Sequence, residues 1–197
     1  MREDWISPWW QASCLPQWWR VAGVRVPSLS VWHVFVLEQL ANRFVYGMPA
    51  DRDDVASLLL VASRDRAGFR RLMLAPNHRE RELRKMHRQI MDQDWDDLNS
   101  SCEEYVQTCV RHADAWTSTE ESKIPPRPYG SPLSFRLVAT LCGVMNYECE
   151  QAWNESFALA VAYHDTNAEA GGQMNLLDTL SQELEDNFEE VMQPGAN

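Results

Sequence analysis

The chain has 197 residues and a formal net charge of −11, with 45% hydrophobic and 24% charged residues. Such a length is typical of one domain with a sizeable core. The negative balance argues against a protein that coats nucleic acid, because phosphate binding depends on clustered Lys and Arg. The sequence has no apolar run of the roughly 18 residues that a membrane helix needs, and its first residues lack the order of a secretory signal. We therefore expect a cytoplasmic protein that binds neither nucleic acid nor membrane.

Residues 1–27 are rich in Trp and Pro, and we predict an irregular N-terminal arm with a short extended piece at Val21, Val24 and Val26. The indoles of this arm have two possible uses. They cover the helical body, or some of them stay exposed and grip a partner, because Trp is a common anchor at protein interfaces. For the second use, the candidate partner-binding residues are Trp9, Trp10, Trp18 and Trp19.

Residues 28–116 are predicted to be helical. Ser28 or Ser30 is a good N-cap for a helix that runs to Phe44, and apolar residues around most of its circumference predict deep burial. We expect His33 on this helix to be a core histidine with satisfied hydrogen bonds, since a lone histidine is more often that than a metal ligand.

The stretch from Arg64 to Arg88 holds nine of the 18 basic residues of the chain and only three acids. Pro76-Asn77 predicts a boundary inside it, between a short helix and an amphipathic one. The basic face either lies in water and pairs with acids of the same protein, or it binds an acidic partner protein. The candidate partner-binding residues of this stretch are Arg70, Arg71, Arg84, Lys85 and Arg88.

The most regular pattern of the chain lies before residue 117, where seven residues alternate at spacings of three and four. This spacing predicts a helix whose seam packs at a shallow angle against its neighbours. Two cysteines and a histidine of the seam share one face, but zinc sites usually draw ligands from close C-x-x-C turns and need a fourth partner. We therefore expect reduced, packed thiols and no metal. The seam residues are Trp95, Leu98, Cys102, Tyr105, Cys109, His112 and Trp116.

Residues 117–131 contain three prolines and many small polar residues, which predicts a linker. Residues 132–197 are predicted to form an acidic helical part, because no Lys or Arg follows Arg136. Within it, Asn146 to Gly172 has an N-cap residue, an apolar stripe and a glycine exit, so we predict one helix of roughly 35–40 Å. Residues 174–192 are predicted to form a last amphipathic helix.

These segments together predict an all-α fold, an irregular multi-helix bundle of about seven or eight helices with a Trp/Pro-rich N-terminal arm. The predicted parts are 1–27, 28–116, 117–131 and 132–197, which we expect to form one domain. The sequence has no phosphate-binding glycine loop, no H-E-x-x-H, no G-x-S-x-G and no E-x-x-H. We therefore expect a protein that is not an enzyme and that needs no cofactor.

Two stretches resemble a known family. The run VAGVRVPSLSVWHVFVLEQLANRFVYG, followed by DDVASLLLVASR, resembles the opening of the tail assembly chaperones of long-tailed bacteriophages and prophages. In that family a short extended piece leads to a Ser- or Thr-capped, leucine-rich helix that carries a histidine. The later run LVATLCGVMNYECEQAWNESFALAVAYHDTNAEAGG is similar to the closing half of such proteins, and the two stretches cover about half of the chain.

The resemblance implies a small acidic helical factor that holds the hydrophobic tape-measure protein and helps to recruit tail-tube subunits. The alternative is a structural subunit of a virion or complex, such as a connector or capsid-associated protein, that uses the Trp-rich arm as an interface. A helical regulator that binds DNA through residues 64–88 is a third class, which the acidic remainder of the chain does not favour. The oligomeric state stays open.

Overall fold

The computed structural model describes Leu15 and residues 18–110, 117–118, 132–171 and 176–177. These residues are mostly helical, which confirms the predicted all-α, irregular multi-helix fold. The described ranges contain nine helices, more than the seven or eight expected, because two of the predicted helices are each split in two. The helices are α1 (Val31–Gln39), α2 (Arg43–Tyr46), α3 (Arg52–Ala62), α4 (Arg66–Met73), α5 (Pro76–Met91), α6 (Trp95–Val110), α7 (Leu133–Gly143), α8 (Cys149–Asn154) and α9 (Phe157–Ala170).

The predicted extended piece of the arm is a β-hairpin. Strand β1 (Trp18–Val21) pairs antiparallel with β2 (Val24–Pro27). The two turn residues, Ala22 and Gly23, have φ values of 50° and 75°, as a two-residue hairpin turn of the primed type requires. Val21 and Val26 are 1% and 0% exposed, so one face of this small sheet joins the core.

The helix predicted from Ser28 or Ser30 to Phe44 is wrong near its C-terminal end, where α1 stops after Gln39 and α2 starts at Arg43. Ala41 adopts a left-handed φ of 51°, and Asn42 then caps α2 by accepting a hydrogen bond from the Phe44 N–H. The Nδ2 of Asn42 also donates to the Asp54 carbonyl at 2.8 Å and to Ser57 Oγ at 2.9 Å. These bonds to α3 are the tertiary reason for the break, because a buried amide that lost them would leave polar atoms unpaired.

The single long helix from Asn146 to Gly172 is also wrong, since α8 and α9 are separated at Glu155 and Ser156. Ser156 forms an antiparallel β-bridge with Ser30. The Val31 N–H donates to the Glu155 carbonyl, and the Phe157 N–H donates to the Leu29 carbonyl, both at 2.9 Å. The chain that enters α1 therefore takes over backbone groups that a continuous helix would have used internally.

The start of that predicted helix differs too. Asn146 is not an N-cap, because its φ of 58° places it in the left-handed region, and Glu148 occupies the cap position of α8. Pro132 stands at the N-cap position of α7.

Helix α3 is the centre of the core. It packs against α1, α5 and β2, and α1 in turn packs against α7, α8 and α9. Of the five described residues of the predicted seam of α6, Leu98, Cys102, Tyr105 and Cys109 are buried and Trp95 is half-buried. His112 and Trp116 lie outside the described residues. The Tyr105 hydroxyl donates to the Pro27 carbonyl at 2.6 Å, which ties α6 to the hairpin.

Two segments that are far apart in the sequence meet in a second small sheet. Strand β3 (Thr117–Ser118), at the start of the predicted linker, pairs antiparallel with β4 (Leu176–Leu177). The prediction of a helix over residues 174–192 is therefore wrong at Leu176 and Leu177. The remainder of that segment, and residues 119–131 of the predicted linker, lie outside the described residues.

Candidate functional site

The two described tryptophans of the arm differ in their surroundings. Trp18 is 51% exposed, and the Arg25 guanidinium lies 4.5 Å from the centre of its ring. Trp19 is half-buried and edge-on to Tyr105, with ring centres 5.7 Å apart, and its Nε1 donates to Ser28 Oγ at 3.0 Å. Trp19 thus covers the body, which is the first expected use, while Trp18 faces water and its binding of a partner stays a prediction. Trp9 and Trp10 lie outside the described residues.

All five basic residues singled out from the sequence are exposed, and they lie on one helical hairpin, α4–α5. Arg70 and Arg71 lie in the last turn of α4, and the other three lie in the second half of α5. Spacings of three and four residues place those three on one side of α5. We call the five residues the basic patch: Arg70, Arg71, Arg84, Lys85 and Arg88.

The basic patch is only slightly neutralised by acids of the described chain. Arg84 pairs with Glu80 at 3.2 Å, but both side chains are more than 60% exposed, and such surface pairs contribute little. The other four members form no ion pair with a described residue. Among the described residues, the expected pairing with the protein's own acids occurs within the basic patch for Arg84, and elsewhere in the stretch from Arg64 to Arg88 for Arg64 with Glu82 and for Arg66 with Glu150.

Local sequence signals explain why the α4–α5 hairpin forms. The Asp65 carboxylate caps α4 by accepting the Gly68 N–H at 2.7 Å. A Cβ on Gly68 would lie 2.7 Å from that same carboxylate oxygen, so the close cap depends on glycine. Pro76 then opens α5 at a position where its missing N–H costs nothing.

The inner side of the hairpin is fixed to the body. Met86 and Ile90 of α5 are buried. The ion pair between Arg64 and Glu82 closes at 2.8 Å with both side chains less than 20% exposed. This attachment holds the opposite face, which carries the basic patch, in a defined orientation.

The turn of the hairpin exposes large apolar side chains beside these cations. Leu74 is 77% exposed and Met73 is 42% exposed. An exposed Leu at a helix end has no part in the core, and its position next to Arg70 and Arg71 creates a mixed basic and apolar surface. Such a mixture is typical of surfaces that bind other proteins.

A second candidate surface is a groove of about 350 Å³ between α6 and the segment that links α2 to α3. This volume lies within the range of ligand-binding clefts. One wall consists of Phe44, Met48, Pro49 and Ala50, and the other of Trp95, Asn99, Glu103 and Gln107.

This groove was not predicted from the sequence. Trp95 was expected in a packing seam, and no role was expected for the polar residues spaced four apart on the same helix. In the structure Trp95 is only half-buried, and Arg52 lies over its ring at 5.6 Å while donating to the Ile90 and Gln93 carbonyls. The spacing of Asn99, Glu103 and Gln107 was the available signal, but the facing wall comes from a distant turn.

The buried histidine and cysteines of the core are neutral and packed among other side chains. The Ser30 N–H donates to His33 Nδ1 at 3.1 Å, and His33 Nε2 donates to the Arg64 carbonyl at 2.8 Å, so the imidazole is neutral with its proton on Nε2. Burial lowers the pKa of His33, and the expectation of a satisfied core histidine is confirmed. Burial also raises the pKa of Cys102 to about 12 and that of Cys109 to about 11, which keeps both as neutral thiols.

Neither a metal centre nor a membrane span is found in the described ranges. No three His, Cys, Asp or Glu side chains of these ranges are grouped so that they could hold a metal ion. None of the helices described above is long and apolar enough to cross a bilayer. Comparison of the chain with protein-family models, with curated proteins and with solved structures gave no match. The function therefore has to be inferred from the surfaces of the protein.

Proposed function

We propose that the protein is a non-catalytic tail assembly chaperone of a long-tailed bacteriophage or prophage, which acts in the host cytoplasm. In this role it holds the tape-measure protein and helps to recruit tail-tube subunits. The observation that carries the proposal is the outer face of the α4–α5 hairpin, where the basic patch lies beside exposed Leu74 on a scaffold whose inner side is fixed. The family resemblance over about half of the chain supplies the identity of the partners.

The physical properties of this face suit a factor that must bind and later leave. Exposed charges accelerate association and choose a complementary partner, while they add little to the lifetime of the complex. A few apolar side chains such as Leu74 supply anchoring area. The protein as a whole is strongly acidic, which disfavours retention on nucleic acid while a phage particle is assembled.

A pull-down with a fragment of the tape-measure protein tests the proposal. The triple variant Arg84→Glu, Lys85→Glu, Arg88→Glu reverses three exposed charges without touching the core. We expect it to capture the fragment roughly tenfold less well than the native protein, because three solvent-exposed pairs together are worth on the order of 1–2 kcal/mol.

The matched control keeps the charges and changes only the side chains, as in Arg84→Lys, Lys85→Arg, Arg88→Lys. It should capture the fragment as the native protein does. If the charge-reversed protein captures as much fragment as this control, the basic patch does not bind the tape-measure protein. If the native protein captures none, the proposed function itself is wrong.

A permanent structural subunit is the second candidate, and exposed Trp18 with Arg25 stacked on it favours this class. An indole on a hairpin edge is a suitable anchor for a stable interface. Purified phage particles distinguish the two functions. A chaperone is absent from the finished particle, whereas a structural subunit is present there in a fixed ratio to the other components.

A further inference from the structure

The groove between α6 and the α2–α3 segment has an apolar end and a negative end. Met48, Pro49 and Trp95 line the apolar end. Farther along α6, Glu103 is the only charged residue among the described residues that line the groove, and its side chain is exposed. A bound group that is apolar at one end and cationic at the other would match both.

The nearby cations do not neutralise this acid. Arg52 lies over Trp95 and donates to the Ile90 and Gln93 carbonyls. Arg43 pairs with Asp51 and Asp54. Glu103 itself accepts a hydrogen bond from Asn99 Nδ2 at 3.0 Å, which holds its carboxylate on the groove side of the helix.

Asn99 lies between the two ends and favours a ligand that carries a hydrogen-bond donor. Its Oδ1 is buried and has no hydrogen-bond partner within the described residues. A buried acceptor without a donor costs free energy, and a donor that reaches it after a small rotation of the amide would remove that cost. The main-chain N–H of an extended peptide is such a donor.

We propose that this groove binds an extended segment of a partner protein that carries an apolar side chain and, two positions away, a Lys or Arg. Trp95 and Glu103 are eight residues apart on α6, which corresponds to about 12 Å. In an extended chain, residues i and i+2 point to the same side and are about 7 Å apart, and the length of a Lys or Arg side chain covers the remainder. The inference goes beyond the proposed function, because it depends on the groove alone.

Short peptides test the inference on the full-length, ¹⁵N-labelled protein. The probe is Ac-Lys-Ser-Leu-Ser-Lys-NH₂, which offers the motif in either direction. One control, Ac-Glu-Ser-Leu-Ser-Glu-NH₂, reverses the charges, and another, Ac-Lys-Ser-Ser-Ser-Lys-NH₂, removes the apolar anchor. We expect the probe to shift the signals of the Trp95 indole N–H and the Asn99 amide, with a Kd on the order of 1 mM. The controls should bind at least several-fold more weakly.

A matched pair of variants assigns the charge preference to one residue. Glu103→Gln should weaken binding of the probe roughly fivefold and remove its advantage over the Glu peptide. Glu104→Gln, an exposed acid one position along the same helix, should change the Kd less than twofold.

Three results would overturn the inference. The first is that the probe leaves the Trp95 and Asn99 signals unmoved, and the second is that the Lys and Glu peptides bind equally. The third is that these signals shift with protein concentration in the absence of peptide, which would identify a second copy of the chain as the occupant. None of these results bears on capture of the tape-measure fragment by the basic patch, so the two proposals fail separately.

Discussion

Helices α3 and α5 lie against each other and use their residues in opposite ways. Of the 11 residues of α3, seven are buried, from Val55 to Ala62. Of the 16 residues of α5, only Met86 and Ile90 are buried. The first helix is packed on nearly all sides, and the second has a narrow apolar stripe with a wide polar face. The difference separates the part of the molecule that supplies stability from the part that is available to a partner.

The contrast extends to the elements on either side. Around α3 the chain satisfies its polar groups internally, as Asn42 does with bonds to Asp54 and Ser57. Around α5 the basic patch and Leu74 have been left in water. An exposed leucine and exposed cations bury little surface in the fold, so this region contributes less to stability than α3 does.

The largest difference in stability between the two regions is expected when one leucine of each is replaced by alanine. Leu59 of α3 is 0% exposed, and Leu74 at the end of α4 is 77% exposed. Leu59→Ala should lower the free energy of unfolding by about 2–5 kcal/mol, because it leaves a cavity in the core. Leu74→Ala should change it by less than about 0.5 kcal/mol. Urea denaturation measures both, and similar losses for the two variants would contradict the division between the regions.

An intermediate effect, on the pH dependence of stability, is expected where the two regions join. At this junction His33 of α1 bonds to the Arg64 carbonyl, between α3 and α4. Burial lowers the pKa of His33, so the unfolded chain takes up the proton first as the pH falls. The contribution of neutral His33 to stability is therefore complete above about pH 6.5. It is lost as the pH falls from about 6.5 towards the lowered pKa of the folded protein. Denaturation between pH 7.5 and pH 5.5 should show a smaller loss for His33→Gln than for the native protein.

The control for this pH series is His78→Gln, a change at an exposed histidine of α5. Its stability should follow the native pH dependence. Asp165, whose pKa burial raises to about 6, contributes with the opposite sign, and it does so equally in every protein of the series. If His33→Gln and the native protein lose stability in parallel, the neutral, buried histidine assigned to this junction is wrong.

The smallest effect concerns the backbone where α1 ends. Ala41 is exposed and has a φ of 51°, a conformation that costs an L-residue with a Cβ roughly 1–2 kcal/mol. Ala41→Gly should raise the free energy of unfolding by about 0.5–1 kcal/mol. Ala139→Gly, at an exposed position inside α7, should lower it by about 1 kcal/mol, because glycine is a poor helix former. If urea denaturation shows a gain in stability for Ala41→Gly and a loss for Ala139→Gly, the left-handed conformation at Ala41 is supported. A loss of stability in both variants would contradict the break between α1 and α2.

Much of the helical architecture is predictable from local sequence. The cap at Ser30 and the boundary at Pro76 were predicted, and Asp51 and Asp65 cap their helices with a residue type that commonly does so. The basic patch is exposed as its composition indicates. The groove was not predictable, because one wall is a turn near Met48 and the other a helix face that begins at Trp95. No local pattern links these two segments, which are brought together by the packing of α2 on α6.

The sequence by itself determined the helical class, most of the helix starts and the placement of charge, because caps and hydrophobic period act within one or two turns of chain. Tertiary structure alone decided the two breaks that interrupt predicted helices, between α1 and α2 and between α8 and α9. The Val31 N–H bonds to the Glu155 carbonyl and the Phe157 N–H bonds to the Leu29 carbonyl, across more than 120 residues. Hydrogen bonds from a distant segment outweigh local helix propensity, which is worth less than about 1 kcal/mol per residue.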